Sequence, residues 1–141
     1  MKNQVYTGTP TSRRFALCPT TVVAGDAVLL GSSPAFALNS YSSLTGGAVF
    51  CMNGTFTASV VGQRYISPPV SAAIKPGDPL AAIGTLDATT NVVTGLTIFS
   101  GVGAPWTETG PNSGVFPFGV LDPSYTSVTS GATDTVAQVK I

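Results

Sequence analysis

The 141-residue sequence contains no histidine. That absence removes the commonest general base, the commonest metal ligand and every Ser-His or Cys-His nucleophile pair. Charge is almost as scarce. Charged residues make up 9% of the chain, and Lys plus Arg and Asp plus Glu number 6 each, for a net charge of zero. An ordinary domain carries roughly 25%. The only basic cluster is Arg13-Arg14. Two arginines displace too few counterions to hold a phosphate backbone, so nucleic-acid binding is not expected. No apolar run approaches the roughly 18 residues that cross a bilayer as a helix, so no membrane span is expected. The opening "MKNQVYTGTPTS" has a lysine but no apolar stretch behind it. It does not read as a signal peptide, and the chain is expected to stay in the cytoplasm of the cell that makes it.

Cysteine is limited to Cys18 and Cys51. In that compartment both are expected as thiols, and two thiolates without histidine fall short of a structural zinc site. No metal and no cofactor is expected. A Gly-Lys-Ser/Thr phosphate loop is missing, and no glycine pattern joins a strand to a helix as dinucleotide binding requires. The carboxylates that remain are Asp26, Asp78, Asp87, Asp122, Asp134 and Glu108. Five of them sit in turn-like contexts, where aspartate ties down nearby backbone N–H groups. The pairs Gly25-Asp26 and Gly77-Asp78 open two similar stretches, "VAGDAVLLG" and "KPGDPLAAIG". A hydrolase with Asp26 and Asp78 as paired carboxylates is the chemical alternative, but both Gly-Asp pairs read as structural turns that lead into strands. The chain is not expected to be an enzyme.

What the chain has in quantity is Thr, Val, Ser, Gly and Pro. Hydrophobic residues reach 43%, and 16 glycines and 11 prolines interrupt any long helix. Short β-rich runs recur between turn signals, which predicts an all-β domain, either a sandwich or a small barrel. The expected strands are 13–18, 27–30, 35–38, 48–52, 55–60, 80–86, 92–99, 115–121 and 135–140. Two alternate cleanly. Ala137, Val139 and Ile141 oppose Val136, Gln138 and Lys140, and Phe56, Ala58 and Val60 oppose Thr55, Thr57 and Ser59. The runs Val28-Leu29-Leu30 and Leu80-Ala81-Ala82-Ile83 read as strands buried on both faces, one against the core and the other against a neighbouring subunit. A single helical turn is expected around Pro68–Ile74. Residues 1–12 read as an N-terminal arm that needs an external surface, with 13–141 as one β-domain. The Gly/Pro-rich loop 100–114 holds the only tryptophan, Trp106, which is either a contact anchor or a plug on its own domain.

Five segments in order resemble a family of small capsid decoration, or cement, proteins of tailed phages. "VVAGDAVLLGSSPAFAL" resembles the family's opening. "GGAVFCMNGTFTASV" resembles its Gly-hydrophobic-aromatic strand, with Gly54 and Phe56 in place. "IKPGDPLAAI" resembles its second Gly-Asp strand, "LDATTNVVT" its short hairpin, and "PFGVLDPSYTSVTSGATDTVAQVKI" its ending. Together they cover most of 13–141. The segments "GQRYISPPVSAA" and "FSGVGAPWTETGPNSG" depart from the family pattern by their length.

The resemblance implies a small barrel or β-clip-like (β-tulip) fold with an extended arm and long loops. It implies a homotrimer on the outer capsid surface of the virion, assembled in the host cytoplasm and clamping the major capsid protein. Val5, Tyr6, Arg13, Arg14 and Phe15 are then the candidate capsid contacts. Tyr6 and Phe15 would anchor, and the arginines would pair with capsid carboxylates. The competing reading of Arg13 and Phe15 is an ordinary first strand with Phe15 in the core. A different function class is a head-fibre base or a receptor- or glycan-binding module, with Trp106 and Tyr125 stacking on sugar rings.

Overall fold

The computed structural model describes residues 13–64, 70–102 and 115–141. The expected arm 1–12, with Val5 and Tyr6, lies outside the described residues, as does Trp106. The described residues are strands and turns without a helix. The strands are β1 (Arg13–Leu17), β2 (Ala27–Leu30), β3 (Ser33–Ala37), β4 (Gly47–Cys51), β5 (Thr55–Arg64), β6 (Val70–Ser71), β7 (Pro79–Asp87), β8 (Val92–Ser100), β9 (Phe116–Leu121) and β10 (Gly131–Lys140). They form one sheet in the order β1-β4-β3-β2-β8-β7-β9-β10-β5-β6. All of its neighbouring strands pair antiparallel, and a single parallel pair, Arg64↔Ser100, links β5 back to β8.

Each of the nine expected strands is present, with ends shifted by a few residues. β5 and β10 are longer than expected because they pair with each other from Thr55↔Lys140 to Gly62↔Gly131. The expected helical turn at 68–74 is not helical where it is described. Val70 and Ser71 pair with Arg64 and Gln63, and the Ala72 N–H donates to the Gly62 carbonyl. Backbone pairing with a neighbouring strand outweighs the weak helical propensity of the segment.

The registers contain an internal repeat. In the first half, β1-β4-β3-β2 lie side by side, and in the second, β5-β10-β9-β7 do, both in Greek-key order. The pairs match one for one. Arg13↔Cys51, Phe36↔Cys51 and Ala27↔Phe36 in the first half correspond to Thr55↔Lys140, Val120↔Lys140 and Pro79↔Val120 in the second. The second half carries two insertions, β6 and the extended β7–β8 hairpin. β8 is held between the two halves, by β2 at Val92 and Val93 and by β7 along most of its length.

Each half has its own core on the equivalent face. Cys18, Val22, Val28, Leu30, Ala37, Ala48 and Phe50 pack together in the first. Their positional equivalents Val60, Ile74, Leu80, Ala82, Leu121, Ala137 and Val139 pack together in the second. Tyr41 and Tyr125 flank the two cores in the same way, each preceded by a serine. The halves are joined because Leu29, Phe36 and Cys51, on the opposite face of the first half, belong to the core of the second. Phe36 stacks on Phe56 with centroids 4.3 Å apart and meets Phe118 edge-on at 5.7 Å. The run Val28-Leu29-Leu30 is therefore buried on both faces by its own chain. The neighbouring subunit expected to cover one face is not needed there.

Candidate functional site

The two Gly-Asp pairs build the same turn. Gly25 and Gly77 take φ of 93° and 86°, which suits glycine at the third position of a type II turn. Asp26 N–H donates to the Val23 carbonyl at 3.1 Å and Asp78 N–H to the Lys75 carbonyl at 3.0 Å. Each carboxylate reaches back in return, Asp26 Oδ2 accepting from Val23 N–H at 3.0 Å and Asp78 Oδ2 from Lys75 N–H at 2.9 Å. The turns then seat on equivalent strands. Gly25 and Gly77 N–H donate to Ala37 and Leu121 carbonyls, both at 2.8 Å, and the N–H groups of Ala37 and Leu121 donate to Asp26 and Asp78 carbonyls. Asp87 and Asp122 also act locally, the first accepting from Thr89 N–H and the Thr90 hydroxyl, the second from Ser124 N–H. Turn chemistry thus occupies the four aspartates whose side chains are described. Among the described residues no three His, Cys, Asp or Glu side chains gather to hold a metal ion.

β1 is the end of the sheet, and its outer edge pairs with no described strand. Arg13, Arg14 and Phe15 lie in this strand. Phe15 is not in the core. It is 49% exposed and Leu17 is 56% exposed, because their face of β1 extends past the edge of the second-half core that covers Cys51 on the neighbouring strand. Leu44, in the β3–β4 loop, is 95% exposed. The sequence signals Phe15 but not Leu17, since an apolar residue in a strand reads as buried by default. Arg14 and Ala16 point to the other face, which holds the first-half core.

Recesses open between the described strands. A cleft of about 330 Å³ opens where β2 and β8 part, between Asp26, Thr57, Ser59 and Thr94. Asp26 is the only charged residue among the described ones that line it. A smaller one of about 150 Å³ lies between Arg14 and Ala16 of β1, Leu30 and Gly31 of β2, and Thr90 and Asn91 of the β7–β8 turn. Cys18 and Cys51 are free, buried thiols in different cores on opposite faces of the β2–β3–β4 sheet. Burial pushes the Cys18 thiol above its ordinary value. Tyr125 packs partly buried against the second core and donates its hydroxyl to the Val136 carbonyl at 2.9 Å.

No family model, curated protein or solved structure matches this chain. The likeness to decoration proteins therefore stands on the five sequence segments alone.

Proposed function

We propose that this chain is a capsid decoration protein, a structural subunit that binds the outer surface of a mature phage head as a homotrimer and holds major capsid protein subunits together. The observation that carries the reading is the outer edge of β1, which no described strand covers and where Arg13 and Arg14 stand beside the exposed Phe15 and Leu17. An unpaired edge with exposed apolar side chains is a liability for a free monomer and an asset for a protein that spends its working life docked. Val5 and Tyr6, which precede this strand in the sequence, are further candidate capsid contacts in the same proposal. In the same reading, β5-β10-β9-β7-β8 closes as a small barrel, the Arg64↔Ser100 pair supplying the closure.

Binding only to expanded capsid protein stabilises the shell by mass action, and three feet on one trimer multiply modest contacts. The glycan-binding alternative gains nothing from Tyr125, whose ring and hydroxyl are engaged within its own domain. The reading is tested by incubating the full chain, and a chain lacking residues 2–12, with expanded undecorated capsids. Saturable stoichiometric binding by the full chain and weakened binding by the truncated one are expected. Failure of the full chain to co-sediment overturns the reading, and equal binding by both overturns the role of the arm.

A further inference from the structure

We propose that the cavity beside Arg14 receives a carboxylate-bearing side chain of a docking protein. Four observations carry this. First, Arg14 is exposed and its side chain makes no hydrogen bond or ion pair with any described residue, and the aspartate nearest in the lining turn, Asp87, is already held by Thr89 and Thr90. An unpaired guanidinium in a recess presents a planar fork that fits a carboxylate with two parallel hydrogen bonds.

Second, Asn91 lines the same cavity, with its side-chain nitrogen 3.6 Å from where a Cβ on Gly31 would lie. It adds a neutral donor beside the cation, and Asn91 is fixed there by a φ of 59° and an N–H bond of 2.7 Å to the Asp87 carbonyl. Third, Ala16, Leu30 and Val92 line one part of the wall and Thr90 another. The apolar part shields a charge pair from water once the guest is seated, and the Thr90 hydroxyl leaves a further polar group beside it.

Fourth, the internal repeat shows what this place in the fold does. The equivalent of Arg14 in the second half is Phe56, since Arg14↔Phe50 corresponds to Val139↔Phe56. Phe56 is where the other half docks, under the stacked ring of Phe36. In the first half the equivalent position carries the exposed Arg14, and the inserted β7–β8 turn supplies Thr90, Asn91 and Val92 beside it. Phenylalanine at this position takes an aromatic ring, whereas arginine there suits a carboxylate. Arg13 does not share the role: it alternates to the opposite face of β1, so the two arginines separate.

The inference rests on the decoration reading for the identity of the docking protein, but its chemistry is tested without capsids. Labelled full-length protein is titrated with the blocked peptide acetyl-VTEVT-amide and with its glutamine counterpart, acetyl-VTQVT-amide, followed by amide NMR shifts. Shifts centred on Arg14, Gly31 and Asn91 are expected, with the glutamine peptide about fivefold weaker or more. Arg14→Met should abolish the preference and Arg13→Met should keep it, with the remaining spectrum unchanged as the control for folding. Equal affinity for the two peptides, shifts centred elsewhere, or no shift up to about 10 mM overturns the proposal. Capsid binding indifferent to Arg14→Met, with the peptide preference intact, overturns the assignment of the partner and leaves the decoration reading standing. Wild-type protein that ignores capsids yet selects the glutamate peptide overturns the decoration reading instead.

Discussion

At Asp26 and Asp78 a single carboxylate closes a turn that its own backbone N–H has begun. Asp26→Ala and Asp78→Ala should each lower stability by about 0.5–1.5 kcal/mol, the net worth of the exposed turn hydrogen bond that each carboxylate accepts. The asparagine variants keep an acceptor and should lose less than half of that, as read by urea denaturation. Gly77→Ala isolates the backbone, because an added Cβ meets nothing within 4 Å while φ stays at 86°. It should cost about 1–2 kcal/mol from left-handed strain alone. Cys18 has a pH signature. Its folded pKa is raised by burial above the ordinary 9.0, so the neutral thiol is the form the core accepts. Its contribution is fully present below the ordinary thiol pKa and is lost as pH rises through the folded value. Urea midpoints of the wild type and Cys18→Ala should converge as the pH is raised from about 7 to about 10.

At the scale of elements, the strands were legible from alternation, because a face that must be buried repeats every second residue. Ala137 and Val139 face the core while Val136, 62% exposed, faces out, as the period-2 pattern in β10 implies. The Gly-Asp turns were legible from two residues each. What the pattern of β1 could not convey is that Phe15 and Leu17 stand outside the core. Their exposure depends on which strand ends the sheet. Phe15→Ser should therefore change stability by no more than about 0.5 kcal/mol, the range of ordinary surface substitutions. The same variant should weaken capsid binding in a co-sedimentation assay. Phe36→Ala is the contrasting case, where a fully buried ring between Phe56 and Phe118 is removed. A loss of about 3–5 kcal/mol is expected by denaturant unfolding.

At the scale of the molecule, the two four-stranded halves are held together because the back of one supplies part of the core of the other. Leu29, Phe36 and Cys51 cannot be withdrawn without opening the second core. Urea unfolding should be a single transition, with amides of β2 and β4 losing protection at the same midpoint as those of β9 and β10. Separate midpoints in hydrogen exchange would show instead that the halves unfold independently. The repeat was barely legible in the sequence. Gly-Asp and Ser-Tyr recur in both halves, at Asp26 and Tyr41 and at Asp78 and Tyr125. The inserted β8 and the residues that follow it separate the second set far more widely, so no fixed period survives. The Arg14 seat was illegible for the same reason: its meaning comes from its match with Phe56.

The sequence by itself determined that this chain makes strands rather than helices, where the Gly-Asp turns start them, and that histidine-based chemistry is closed to it. These follow from local causes: period-2 alternation, the backbone freedom of glycine and the inventory of side chains. Only the tertiary structure decided which apolar residues are left outside, which arginine faces a cavity, and that two halves share one plan. Those depend on strand order and register, which join residues far apart in the chain and leave no periodic trace in it.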